Sequence, residues 1–178
     1  MTVAGGDIIF AADINGILTL LGSVTTKPSA TSRNMTNTYA DHPHLTSIAL
    51  AVGTYEIELM GMFTLATTAT QKIKTQWAFT GTWNGTTAPR LCFGPGSAQT
   101  AGPTGVTDMF MQALHLNGQD AIYDVAAGTG SYSSFRELCG NVNVTVAGNL
   151  SLQWAQSASS ANNTNLQEGS YFRVRKIS

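Results

Sequence analysis

Residues 141–156 read "NVNVTVAGNLSLQWAQ", and their pattern decides the fold class. Val142, Val144 and Val146 alternate with Asn143 and Thr145, and after a small-residue break Leu150, Leu152 and Trp154 alternate with Ser151 and Gln153. A period of two places one set of side chains on a single face of a β-strand, and β-branched and aromatic residues suit that half-buried surface. Gly148-Asn149 between the two runs predicts a hairpin turn. The expectation is therefore a hairpin with Val142, Val144, Val146, Leu150, Leu152 and Trp154 as its apolar face.

The same period extends outward from this stretch. "HLTSIALAVGTYEIELMGMFTLAT" predicts two strands with a turn at Gly53. In the second, Tyr55, Ile57, Leu59, Phe63 and Leu65 share one face, and Thr54, Glu56, Glu58, Met60, Met62 and Thr64 share the other. "QKIKTQWAFTG" points Ile73, Trp77 and Phe79 inward and Lys72, Lys74 and Gln76 outward. "MFMQALHLN" is apolar on both faces, with Met109, Met111 and Ala113 opposing Phe110, Leu114 and Leu116. "SYFRVRKI" supplies a last strand. Roughly eight strands at close spacing, joined by Gly-rich turns, predict an all-β antiparallel β-sandwich of the jelly-roll kind.

Composition agrees. The chain has 178 residues, of which 11% are charged, so hydroxyls and amides must carry the polar surface. Ser, Thr, Asn and Gly favour turns and strands over helices. The net charge of −1 gives no field to attract nucleic acid or an acidic membrane, and no stretch is long and apolar enough for a membrane span. Arg173, Arg175 and Lys176 come nearest to a cationic cluster, and a salt-bridged strand face is the expectation over anion binding. Cys92 and Cys139 lie in apolar strand contexts and are expected to be buried free thiols, which suits folding in a reducing cytoplasm.

Residues 1–43 differ from the rest. Ile8, Ile9 and Phe10 form a short strand-like piece. Asp13 is placed to cap a helix running to about Leu21, with Ile14, Ile17, Leu18 and Leu21 as an apolar stripe. A helix this short needs a surface to pack on. Residues 23–43 are polar, carry two prolines and are expected to be a linker or an extended arm. The predicted organisation is an N-terminal anchoring arm and linker, 1–43, followed by a jelly-roll domain, 44–178. The first residues have neither a basic start nor a long apolar run, so a secretory leader is not expected.

Motifs for chemistry are weak. His42 and His44 lie on one side of an extended chain, but no further cluster at metal-ligand spacing accompanies them, so turn and strand-start roles are expected. His115 is expected to be an interior histidine. Glu56 and Glu58 sit side by side on one strand rather than across a cleft, which favours a salt-bridged face over a glycosidase pair. Neither nucleophile-elbow, zinc-protease nor phosphate-loop motifs occur. No catalytic residue, cofactor or metal is assigned. Three loops, 94–105, 126–134 and 157–165, could carry binding, with Tyr132 as the aromatic candidate for ligand contact.

A strand that is apolar on both faces is rarely left exposed by a soluble monomer. Met60, Met62, Met109, Met111 and Phe110 are therefore expected at a homo-oligomer interface.

The C-terminal stretch carries a family resemblance. Leu150, Leu152, Gln153, Trp154, Ala155 and Gln156, then a polar Ser/Ala/Asn/Thr loop, then Gly169, Ser170, Tyr171, Arg173 and Arg175, resemble the end of small bacteriophage virion proteins. These are trimeric head or tail-fibre proteins with a C1q/TNF-like jelly roll. "GDIIFAADING" also looks like the start of phage fibre and decoration proteins. The resemblance implies a non-enzymatic homotrimer in the virion, assembled in the host cytoplasm. Its expected place is the capsid surface, docked on the major capsid protein by Ile8, Ile9, Phe10, Ile14, Ile17, Leu18 and Leu21. The alternative is a tail-fibre or tail-tip head, among tail proteins, that recognises a host-surface glycan for host attachment.

Overall fold

The computed structural model describes residues 22–65, 72–95, 109–116, 119–123 and 132–178. The chain forms fourteen described strands: β1 (Ser23–Thr26), β2 (Thr31–Arg33), β3 (Ala40–Asp41), β4 (Ile48–Leu50), β5 (Gly53–Leu65), β6 (Ile73–Phe79), β7 (Thr82–Trp83), β8 (Pro89–Pro95), β9 (Met109–His115), β10 (Ala121–Tyr123), β11 (Tyr132–Val146), β12 (Gly148–Gln156), β13 (Thr164–Leu166) and β14 (Tyr171–Lys176). They make two antiparallel sheets. The larger runs β1-β14-β5-β11-β8-β9, with β13 and β2 continuing beside the far end of β5 and β7 beside β11. The smaller runs β10-β6-β12-β3, with β4 also on β12. The protein is an all-β antiparallel β-sandwich.

The alternation in the sequence fills the space between the sheets. Tyr55, Ile57, Leu59, Phe63 and Leu65 of β5 face Ile73 and Trp77 of β6 and Leu150, Leu152 and Trp154 of β12, all buried. Each such side chain contributes about 1.5–3 kcal/mol when removed from water. Phe135 on β11 lies over Gly61 of β5, where an added Cβ would sit 2.1 Å from the ring, and over Gly94 of β8. Its ring stacks on Tyr123 of the opposite sheet, with centroids 4.4 Å apart.

The expected hairpin about Gly148-Asn149 is instead a corner between sheets. β11 pairs with β5, β8 and β7 in the larger sheet, whereas β12 pairs with β6, β3 and β4 in the smaller one. Val142, Val144, Leu150, Leu152 and Trp154 still bury together, but from opposite sides of the core, and Val146 at the corner is exposed. Gly53 marks a second such corner, since β4 and β5 also lie in different sheets. The Gly148 corner packs on the β6–β7 turn. An added Cβ there would lie 2.2 Å from the backbone nitrogen of Gly81, and Asn149 N donates to Thr80 Oγ1 at 2.8 Å.

Residues 23–43 are extended, yet they are no free linker. β1 pairs with β14, β2 with β13 and β3 with β12, so from Gly22 onward the expected boundary at 43/44 has no counterpart in the packing. Arg33 stitches this segment to the core. Its guanidinium donates to the carbonyls of Trp154, Ala40 (2.9 Å) and Asp41 (3.0 Å) and lies 4.7 Å from the Trp154 ring centroid. His42 is a buried turn organiser: Nδ1 accepts from the backbone N–H of His44 (3.1 Å) and Leu45 (3.0 Å), which leaves Nε2 facing Thr31 Oγ1 at 3.0 Å. Burial first, then Lys27, His44 and Arg33, pull its pKa down to about 3.

The candidate anchoring residues Ile8, Ile9, Phe10, Ile14, Ile17, Leu18 and Leu21, and the helix expected from Asp13, lie outside the described residues.

Candidate assembly surface

The outer face of the larger sheet gathers several of the residues singled out by sequence. Register places Tyr171, Met60, Arg136, Phe93 and Met111 in one row across β14, β5, β11, β8 and β9. The next row holds Arg173, Glu58, Leu138, Leu91 and Ala113. Met60 and Met62 are half-buried here, whereas Met111 is 72% exposed and Leu91 36%. The side chains of Met109 and Phe110 lie outside the described residues.

The face is divided. Its β14–β5 half is ionic: Glu58 takes Arg136 Nε on Oε1 at 2.6 Å and Arg173 Nη2 on Oε2 at 2.5 Å, and Glu56 pairs with Arg175. The anion-binding alternative for Arg173 and Arg175 thus meets carboxylates already in place. The β8–β9 half is apolar. Between the halves lies a cavity of about 320 Å³ lined by Met60, Phe93, Ser134, Phe135 and Arg136.

β9 is two-sided in a different sense from that expected. Leu114 and Leu116 point inward, while Met111, Ala113 and His115 are exposed. His115 is therefore no interior histidine; its backbone N–H donates to Gln119 Oε1 at 2.6 Å. Tyr132 is the first residue of β11 rather than a loop residue, 73% exposed, on the same outer face as Ser134 and Arg136. Of the three expected binding loops, only 157–165 is described throughout. It is drawn in by the buried amide of Gln156, whose Nε2 donates to Asn162 O (2.7 Å) and whose Oε1 accepts from Ser160 N (3.0 Å).

A second polar centre, unforeseen from sequence, lies inside the sandwich. Arg90 of β8 and Glu137 of β11 are fully buried and paired at 3.3 Å. Glu137 Oε1 also accepts from Tyr123 OH at 2.9 Å and from Thr75 Oγ1, and Arg90 Nη2 donates to Gln119 O at 2.7 Å. The network ties β8 and β11 of one sheet to β6 and β10 of the other. Burial first and then Glu137 push the Tyr123 hydroxyl well above its ordinary pKa. The signal was a charged residue in the apolar phase of a strand, Glu137 between Phe135 and Cys139 and Arg90 in phase with Cys92.

Cys92 and Cys139 are buried free thiols. Cys92 stands opposite Glu137, so Cys139 is its diagonal neighbour at roughly 7–8 Å, beyond the Cα separation a disulfide usually spans. Among the described residues no group of three or more His, Cys, Asp or Glu could hold a metal ion, and no helix is long and apolar enough to cross a membrane.

No protein-family model, curated protein or solved structure matches this chain.

Proposed function

We propose that this chain is a non-enzymatic structural protein of a bacteriophage particle, a homotrimer that decorates the capsid surface. The observation that carries the assembly reading is the outer face of the larger sheet, where Met60, Phe93, Leu91 and Met111 form an apolar field beside an ionic one. Burying that field against copies of the chain removes apolar area from water, and association then stabilises the folded subunits by mass action. The strand order supports a C1q/TNF-like jelly roll, because β1-β14-β5-β11 opposes β4-β12-β6-β10 with the chain crossing repeatedly between sheets. The ionisable groups support a structural role, since Glu58, Glu56, Glu137 and Arg90 are each engaged in ion pairs. The place in a virion rests on the motifs at 150–156 and 169–175. Residues 1–21 are assigned the docking on the shell, because residues 23–43 are used within the sandwich. The receptor-binding alternative is weaker, since Tyr132 belongs to the assembly face.

The test is immunogold labelling of intact particles made in cells that express the gene. Label spread over the shell is expected. Label confined to the tail tip would replace this reading with host attachment, and absence of label would refute a virion role.

A further inference from the structure

We propose that residues 17–21, Ile-Leu-Thr-Leu-Leu, cover an apolar pole of their own chain formed by Val52, Val146 and Ile177, which fixes the docking arm to that end of the sandwich. This deepens the reading of residues 1–21 as the docking arm, and rests on it for the step from arm to shell.

The pole is built where two corners meet. Gly148, at the β11–β12 corner, pairs with Leu50, just before the β4–β5 corner. That pairing sets Val146 and Ala147 beside Ala51 and Val52. The end of β14 arrives at the same place. Lys176 Nζ donates to the carbonyl of Val52 at 2.9 Å, and Ile177 N donates to Thr54 O at 2.7 Å. Val52, Val146 and Ile177 are each 55–57% exposed, and Ala51 and Ala147 are exposed beside them. Aliphatic side chains grouped in this way favour an apolar cover.

The described chain begins at this pole. Gly22 lies against β14 so closely that an added Cβ would sit 2.7 Å from Val174 O and 3.2 Å from the Arg175 Cβ. From Arg175 to Ile177 is roughly 7 Å along the strand. Four extended residues span about 13 Å, so Leu18–Leu21 can reach both Ile177 and Val52. Four of residues 17–21 are Ile or Leu. Charge agrees: residues 1–21 carry Asp7 and Asp13 and neither lysine nor arginine, whereas Lys176 stands at the pole on a carbonyl rather than a carboxylate. Attachment through Gly22 also decides between occupants. It holds the segment at an effective concentration on the order of millimolar, so a separate partner of equal intrinsic affinity at micromolar concentration loses by roughly a thousand-fold.

The consequence is an orientation. Ile8, Ile9, Phe10 and Ile14 are left for the shell, and they leave from the Val52 pole. β12 starts at that pole and runs about 27 Å to Gln156, which turns the loop 157–165 away from the shell.

Photo-crosslinking on the full chain tests the contact. With Leu20 replaced by p-benzoylphenylalanine, irradiation should join residue 20 to peptides holding 51–52, 146–147 or 176–178, in the monomer band of a denaturing gel. Adding Val52→Asp and Ile177→Asp should lower that yield roughly five-fold or more. Both positions are exposed, so the circular dichroism should not change. Adducts elsewhere on the chain, no adduct, or a yield that the two aspartates leave intact would overturn the proposal. So would adducts confined to a dimer band, because a neighbouring copy would then be the occupant. Particle labelling is read separately. Shell label without the crosslink keeps the virion reading and removes this contact, and the crosslink without label does the reverse.

Discussion

Replacing Arg90 by Met, or Glu137 by Gln, tests whether the buried pair locks the two sheets together. In Glu137→Gln the amide oxygen still accepts from Tyr123 and Thr75, but the Arg90 guanidinium loses its carboxylate and keeps the Gln119 carbonyl as an acceptor. In Arg90→Met the carboxylate keeps two hydroxyl donors and loses its counter-ion. Both leave one uncompensated charge with no exposure to water, which costs about 3–5 kcal/mol. The double variant leaves none: Met fills the space of the arginine stem and Gln retains its hydroxyl donors. It should lie within about 2 kcal/mol of the starting protein, giving a coupling energy above about 3 kcal/mol. Urea unfolding followed by tryptophan fluorescence reads this directly. With a slope of about 2 kcal/mol/M, each single change should lower the midpoint by roughly 1.5–2.5 M. Protein concentration must be equal throughout, because assembly shifts the apparent stability. Singles that each cost under about 1 kcal/mol, or costs that simply add, would refute the locking role.

Two further outcomes are expected. The folded pKa of His42, about 3, lies below its unfolded value near 6.5, so the unfolded chain binds the extra proton first as pH falls. Its contribution is complete above about pH 6.5, and about 2 kcal/mol is lost by pH 5, before most carboxylates titrate. His42→Asn, whose side-chain oxygen can still accept from the turn, should flatten that window in urea midpoints measured at pH 7 and 5; an unchanged slope would contradict the buried neutral imidazole. Gly148→Ala drives a Cβ into the Gly81 backbone at 2.2 Å and should destabilise by about 1–3 kcal/mol. A neutral effect on the melting temperature would mean that the Gly148 corner is not packed on the β6–β7 turn as described.

Period-two alternation told which residues of β5, β6 and β12 face the core, because side-chain direction in a strand is local. It also foretold the ion-paired β5 face and the buried thiols. Alternation could not tell a hairpin from a corner, since both bury the same phase of residues, and so the partnership of β11 and β12 was misread. The arm at 23–43 was read by its polarity and its prolines. Its place was decided by hydrogen bonds to β12, β13 and β14, more than a hundred residues distant. The Arg90–Glu137 pair was hidden for a similar reason. A charge in an apolar phase is ordinary until its partner is known, and that partner arrives by strand register rather than by sequence spacing. What the sequence determined alone was the all-β class and most of the inward face. Which sheet each strand joined, which polar groups met inside and which apolar side chains stayed outside depended on contacts between distant strands, and only the tertiary structure brings those together.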